Sequence, residues 1–235
     1  MDEAIVLCGG LGTRLRSVVA DLPKPMAPVG GRPFLEYLLE FLRLQGVRRV
    51  ILAVGYRREA IIDHFGAAWD GLEIDYAIET TPRGTGGGAR LGVERLQGDR
   101  ALLLNGDSFL ARPTLDLERA LGDDADLALT VRLEPDTGRF GVCAVEDGRV
   151  TGFRPGVTGQ PGLINAGVYA LRRDLFDRFD LPEVFSFEQD FMAPLVGRMK
   201  VGAVVADEPF IDIGLPESYA LAQSFVPAVS GGGTA

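Results

Sequence analysis

The stretch CGGLGTRLRSVVADLPKPM (Cys8–Met26) follows a short apolar run, EAIVLC (Glu3–Cys8), and delivers glycines at 9, 10 and 12, then Arg14, Arg16 and Lys24. An apolar run that ends in glycines reads as a strand buried on both faces that opens into a phosphate-binding turn. Glycine lets backbone N–H groups come close to a phosphate, because no Cβ intervenes. The kind of turn is decided by spacing. A dinucleotide fingerprint needs G-x-G-x-x-G, and counting from Gly10 puts Leu15 where the third glycine should stand. A P-loop needs Gly followed by Lys-Ser or Lys-Thr, a triplet that the sequence lacks. What remains is a glycine turn that presents Arg14, followed by an extended DLPKPM in which Pro23 and Pro25 restrict the backbone around Lys24. Arginine forks onto two phosphate oxygens, whereas lysine acts as a point charge.

Outward from this turn, strands and helices alternate. RVILAVG (Arg49–Gly55), LEIDYAIE (Leu72–Glu79) and ALLLNGDS (Ala101–Ser108) read as strands. FLEYLLEFLRLQG (Phe34–Gly46), REAIIDHFG (Arg58–Gly66) and GGGARLGVERLQ (Gly86–Gln97) read as helices. That alternation predicts a Rossmann-like α/β fold: a mixed, mostly parallel sheet with helices on both faces. In the second half, DLALTVRLE, GRFGVCAVEDGRVTGF and LINAGVYALR are strand-like, with Asp147-Gly148 as a hairpin turn. Helical stretches are expected near Phe187–Leu195 and Glu217–Phe225. The sheet is expected to continue with some antiparallel pairing, the C-terminal half closing over its edge. One domain over 1–227 is predicted, with 228–235 as a disordered tail. The glycine-rich stretches Gly9–Gly12 and Gly84–Gly88 are expected to be able to move.

A chain of 235 residues holds one ample core. The net charge of −9 argues against general binding to nucleic acid, so any phosphate contacts come from cations placed locally. No apolar run approaches the ~18 residues of a membrane span, and no leader-like segment opens the chain, so a cytoplasmic protein is expected. Cys8 and Cys143 form no metal or redox spacing and read as buried thiols. His64 and Trp69 read as packing or surface residues.

The segment GGLGTRLRSVVADLPKPMAPVGGRPFLEY resembles the N-terminal signature of the sugar-phosphate nucleotidyltransferases, and within them the D-glycero-α-D-manno-heptose 1-phosphate guanylyltransferases. GTGGGARLG, LLNGDS, GLINAGVYAL, FSFEQDF and FIDIGLPESY are similar to segments in the same order in that family. The resemblance implies the nucleotide-diphospho-sugar transferase type of fold and an enzyme that joins a nucleoside triphosphate to a sugar 1-phosphate, releasing pyrophosphate. It implies a triphosphate cradle of Gly9, Gly10, Gly12, Thr13, Arg14 and Lys24, with Arg14 on the leaving pyrophosphate and Lys24 near the α-phosphate. It further implies Mg²⁺ held by Asp107 and Asp212, with Arg14, Lys24 and Asp107 as the catalytic set. Sugar-phosphate contacts are implied for Asn165, Glu188 and Gly141. Asp190 reads as a helper of these or as a structural residue.

Glu79 stands where relatives read the nucleobase, with Gly84 and Thr85 bringing backbone groups against the same base. A carboxylate offers acceptors and no donor, which suits the adjacent N1–H and N2–H₂ of guanine. Uracil and thymine present a donor between two acceptors. GTP is therefore the expected triphosphate. One departure stands out. Counting back from Gly162, the place of the lysine that meets the sugar phosphate in relatives falls on Gly156, in GFRPGVTGQPGLINAG. Arg154 is the cation in that stretch and the favoured substitute; another cation, or weaker sugar-phosphate binding, are the alternatives. Mannose 1-phosphate guanylyltransferase, a uridylyltransferase on the same fold, or an inactive regulatory module are the rival readings. A homodimer is possible, no nucleic acid or membrane partner is expected, and no segment locates an interface.

Overall fold

The apolar run before the glycines is a strand, β1 (Glu3–Leu7), and everything that follows is arranged around it. The protein is described from a computed structural model over residues 1–10, 15 and 22–230. After a 3-10 turn at Lys24–Met26 come the short strands β2 (Pro28–Val29) and β3 (Arg32–Pro33), helix α1 (Phe34–Leu44) and strand β4 (Arg49–Val54). Helix α2 (Arg58–Phe65), strands β5 (Ala68–Trp69) and β6 (Leu72–Ile78), helix α3 (Gly84–Val93) and strand β7 (Arg100–Asn105) complete the first half. The second half holds β8 (Ser108–Leu110), α4 (Leu115–Leu121), β9 (Leu127–Glu134), β10 (Gly141–Glu146), β11 (Arg149–Pro155) and β12 (Gly162–Arg172). A π-helix over Phe187–Met192 runs into α5 (Ala193–Leu195), followed by β13 (Val201–Ala206), β14 (Phe210–Asp212) and α6 (Pro216–Ser230).

Ten strands form one sheet in the order β10-β11-β13-β9-β12-β7-β1-β4-β6-β5. β1 pairs parallel with β4 and β7, β4 with β6, and β13 with β9. β12 runs antiparallel between β7 and β9, and β10–β11 is an antiparallel hairpin. Its turn is Asp147-Gly148 with φ of 49° and 71°, as that dipeptide favours. The second half therefore extends the sheet beyond β7 and does not close over its edge.

Alternation along β1 explains why the sheet is covered twice. Ala4 and Val6 join one core with α1, α2, α4 and α6 residues such as Leu38, Phe65, Leu121 and Val226. Ile5 joins the other with Ala89 and Val93 of α3 and the aromatics Phe176, Phe185, Phe187 and Phe191. Helix α1 turns Phe34, Leu35, Leu38, Leu39 and Leu42 inward, each worth about 1.5–3 kcal/mol on full burial. Gly46 at φ +89° then ends it.

Two further expectations are corrected. Gly84–Gly88 is not a loose loop but the first turns of α3, pressed so tightly on the Phe185 segment that a Cβ at Gly86 would lie 2.2 Å from the Phe185 ring. Helix α6 continues through Ser230, so Ala228, Val229 and Ser230, expected in the tail, are helical because Val226 and the last turn pack on the core. Residues 231–235 lie outside the described residues. No described helix is long and apolar enough to cross a membrane.

Candidate active site

The parallel strands β1, β4, β6 and β7 end on one side of the sheet, and at β1 the chain order parts, β4 lying on one flank and β7 on the other. Open α/β sheets bind ligands at that switch point. A cleft of about 480 Å³ lies there. Of the expected nucleotide residues, Gly9, Gly10, Lys24, Glu79, Gly84 and Thr85 line it, as does the expected metal residue Asp107; Asp212, Asn165 and Glu188 do not. Gly12, Thr13 and Arg14 lie outside the described residues.

Each lining group is placed by an identifiable local constraint. Gly9 follows β1, and a Cβ there would fall 2.2 Å from Glu79 Oε1, so glycine is what admits the carboxylate. Glu79 directly follows β6; its Oε2 accepts the Arg83 N–H at 2.9 Å, leaving Oε1 beside Gly9 and Gly88. Burial pushes the Glu79 carboxyl above its usual value, against the opposing pull of the Arg83 N–H and charge. Thr85 does more than lend its backbone, since its Oγ1 accepts the Phe187 N–H at 2.9 Å. That bond ties the start of α3 to the segment carrying Glu188.

Lys24, held by the 3-10 turn between its prolines, donates to Asp107 Oδ2 at 2.5 Å. Asp107 closes the turn after β7. β8 and β14 pair antiparallel with Asp212 opposite Ser108, and the Ile213 N–H donates to the Asp107 carbonyl at 2.9 Å. The two aspartates, more than a hundred positions apart, thus become neighbours across one short ladder. Asp212 Oδ1 accepts the Gly214 N–H at 2.8 Å, and Oδ2 lies 3.6 Å from Arg139 Nη2. Both carboxylates face cations, the environment that a hard divalent ion would also satisfy. Among the described residues no group of three or more metal-ligating side chains converges.

Asn165 and Glu188 meet beyond the lining residues of the cleft, close enough to Asp107 for its charge to act on Glu188. Asn165 Nδ2 donates to Glu188 Oε1 at 2.7 Å and to Tyr169 Oη at 2.6 Å. In a regular strand residues i and i+4 stand about 13 Å apart. The register shift in β12, with Gly167 at φ +73°, folds the strand so that they touch. Burial is the main cause of a raised Glu188 carboxyl, and the nearby Asp107 charge adds to it. Asp190 accepts the Ser186 N–H at 2.7 Å, which makes it a cap of the π-helix. Gly141 opens β10 with free space around it, and Arg154 is exposed on β11; neither lines the cleft.

Tyr169, Asn105, Gly214 and Arg139 were not singled out by the sequence. Tyr169 had a signal, the i+4 spacing in NAGVY; Arg139, in DTGRFG, had none. Cys8 and Cys143 are buried free thiols, and burial drives Cys8 well above its ordinary value and Cys143 up to about 12. His64 Nε2 lies 2.7 Å from Glu36 Oε1 on the surface, away from the cleft.

Residues 3–228 match the family model described as nucleotidyl transferase. The chain belongs to the nucleotidyl transferase family. This nucleotidyl transferase is 42% identical, over 92% of its length and 96% of the relative's, to D-glycero-alpha-D-manno-heptose 1-phosphate guanylyltransferase of Campylobacter jejuni. It is 41% identical to the protein of the same name from Aneurinibacillus thermoaerophilus, over 94% of its own length and 96% of the relative's. The crystal structure of HddC from Yersinia pseudotuberculosis complexed with GMP-PN superposes with a TM-score of 0.82 at 34% identity, covering 95% of this chain and 98% of that one. The family assignment agrees with the α/β fold expected from the alternating strands and helices.

Proposed function

We propose that this nucleotidyl transferase transfers GMP from GTP to a sugar 1-phosphate, D-glycero-α-D-manno-heptose 1-phosphate, giving the GDP-sugar and pyrophosphate. The observation that carries the reading is the Glu79 carboxylate, which is set into the same cleft as Lys24 and Asp107 with Oε1 open toward the glycines. An acceptor there complements the donor edge of guanine and opposes the carbonyls of uracil. Full-length similarity to heptose 1-phosphate guanylyltransferases supports the sugar.

A phosphate oxygen of the sugar phosphate attacks the α-phosphorus, the new P–O bond forms, and the bond to the β-phosphate oxygen breaks in line. No side chain becomes covalent, so catalysis consists of positioning two anions and neutralising charge. Lys24 exchanges its bond with Asp107 for a phosphate oxygen, while Arg14 receives the leaving pyrophosphate. Glu79 holds the base and the Asn165–Glu188 pair receives sugar hydroxyls, fixing the approach of the acceptor. Asp107 and Asp212 would hold Mg²⁺, which supplies neutralisation of the triphosphate when bound.

The test is direct. The protein is incubated with Mg²⁺, each nucleoside triphosphate in turn, and either the heptose 1-phosphate or mannose 1-phosphate, and pyrophosphate release and product mass are measured. GTP with the heptose phosphate is expected to give the highest kcat/KM. Turnover with UTP in place of GTP sinks the base assignment, and a preference for mannose 1-phosphate sinks the sugar assignment.

A further inference from the structure

The reaction brings a second phosphate to the cleft, and the backbone shows why position 156 supplies no side chain to meet it. A Cβ at Gly156 would lie 1.8 Å from the Thr137 carbonyl oxygen and 2.5 Å from that of Phe140. The space is taken by the turn Thr137–Phe140, closed by the Phe140 N–H donating to the Thr137 carbonyl at 2.9 Å. The Gly156 N–H donates to the Phe140 carbonyl at 2.9 Å, and the Val157 N–H to Thr137 Oγ1 at 3.0 Å, so turn and segment are fastened together. Thr137 is buried, with 1% of its surface exposed.

That same turn carries Arg139, whose guanidinium reaches Asp212. We propose that Arg139 is the residue that binds the phosphate of the sugar 1-phosphate, a role that rests on the transferase reading above. Three observations support it. Two cations stand near Asp212. Arg139 comes from the β9–β10 connection, while Lys24 comes from the nucleotide side, with a Cβ at Gly214 falling 3.1 Å from Lys24 Nζ and 2.7 Å from Asp212 Oδ1. A phosphate seated beside Asp212 is therefore flanked by both.

The present bond of Arg139 is also weak. At 3.6 Å, with the arginine side chain 55% exposed, it is an ion pair without a hydrogen bond, a kind that contributes little in water. A guanidinium forked onto a phosphate makes short, charge-assisted bonds instead. Arg139 therefore gives up little when it leaves Asp212 for a phosphate.

Two other arginines of the second half are paired elsewhere. Arg132 pairs with Glu134 at 3.0 Å, and Arg112 with Glu208 and Asp116 at 2.8 and 2.7 Å. Arg154 stands opposite Val142 in the β10–β11 ladder, on the face away from Cys143, whereas Cys143 is the residue that feels the Glu188 charge.

Arg139→Ala, Arg139→Lys and Arg154→Ala variants are compared with wild type for KM of the sugar 1-phosphate, KM of GTP and kcat. Melting temperatures serve as the check on folding. Arg139→Ala is expected to raise the sugar 1-phosphate KM by about ten- to a hundredfold, with the GTP KM within about threefold and Arg139→Lys in between. An unchanged sugar-phosphate KM in Arg139→Ala, or a rise in Arg154→Ala without one in Arg139→Ala, overturns the proposal. If wild type turns over no pair of substrates, the transferase reading fails separately. Calorimetric titration with mannose 1-phosphate then decides Arg139: binding by wild type that is lost in Arg139→Ala supports it, and equal or absent binding overturns it.

Discussion

Lys24 Nζ and Asp107 Oδ2 lie 2.5 Å apart although 83 positions separate them in the chain. The bond joins the start of the 3-10 turn to the turn after β7, and it sets a cation beside a carboxylate in the cleft. Each residue keeps the other from standing as an uncompensated charge before substrate arrives.

This shared duty makes the two residues non-additive. Lys24→Ala or Asp107→Asn is expected to cut kcat by about 10²–10³ each, the range seen when one transition-state contact is removed. The double variant should lose much less than the product of the two. A double-mutant cycle on kcat/KM measures the coupling; strict additivity would show that the pair is incidental to turnover.

Gly9 and Glu79 give a second prediction. A methyl at Gly9 would lie 2.2 Å from Glu79 Oε1, so Gly9→Ala is expected to displace the carboxylate and raise the GTP KM about tenfold or more. Glu79→Gln keeps the shape but replaces one acceptor by a donor, and should cut the preference for GTP over UTP by about 10–100-fold. Because burial raises the Glu79 carboxyl, it protonates at a higher pH than an ordinary glutamate. The GTP KM should therefore climb as pH falls through that raised value, and the Glu79→Gln variant should lack this acid limb. KM-pH profiles for GTP in the two proteins check the assignment.

Much of this was legible in the sequence, for reasons that differ by residue. Strand β1 was readable because burial on both faces leaves an unbroken apolar run, and Leu15 and the missing Gly-Lys-Ser/Thr excluded the better-known loops. Asp107 was readable because it ends such a run. Asp212 depends on a three-residue ladder with β8, too short to leave a periodic signal, and came only through resemblance. Arg139 was invisible, since the turn that carries it is seated on the Gly156 segment by backbone contacts that no composition records. The loop expected at Gly84–Gly88 is helix for a related reason. Those glycines admit the Phe185 segment, so they mark close packing there.

Glu188 carries a prediction about stability and pH. Its carboxyl is raised mainly by burial, so its folded value lies above its unfolded one. Above the folded value the ionised group is a net cost to folding, and that cost disappears as pH falls through it. Glu188→Gln keeps an acceptor for Asn165 without the buried charge. Its melting temperature should equal or exceed that of wild type at pH 8, with the advantage shrinking toward pH 5, while the sugar 1-phosphate KM rises. Melting curves at the two pH values decide it, and a variant less stable at pH 8 than at pH 5 relative to wild type contradicts the burial argument.

The last prediction concerns the end of the sheet away from the cleft. Arg49, at the start of β4, binds Glu3 Oε1 at 2.5 Å, Glu73 Oε1 at 2.9 Å and Asp75 Oδ2 at 2.7 Å, and donates to the Arg95 carbonyl at 2.9 Å. Glu3 in turn accepts the N–H groups of Gln97 and Gly98 at 3.0 and 2.6 Å. One guanidinium thus fastens the first residues of β1, β4 and β6, and both Arg49 and Glu3 are buried. Removing one partner leaves the other buried and uncompensated, at a cost of about 3–5 kcal/mol. For a domain of this size that lowers the melting temperature by roughly 6–20 °C. Arg49→Met should show that loss with the KM of both substrates unchanged, because the glycine turn and Glu79 lie at the opposite ends of the same strands. Adding Glu3→Gln to Arg49→Met removes the stranded charge and should recover part of the loss. Denaturant titration of the single and double variants measures both; a double variant less stable than Arg49→Met alone would show that Glu3 works through its bonds to Gln97 and Gly98, with the arginine secondary.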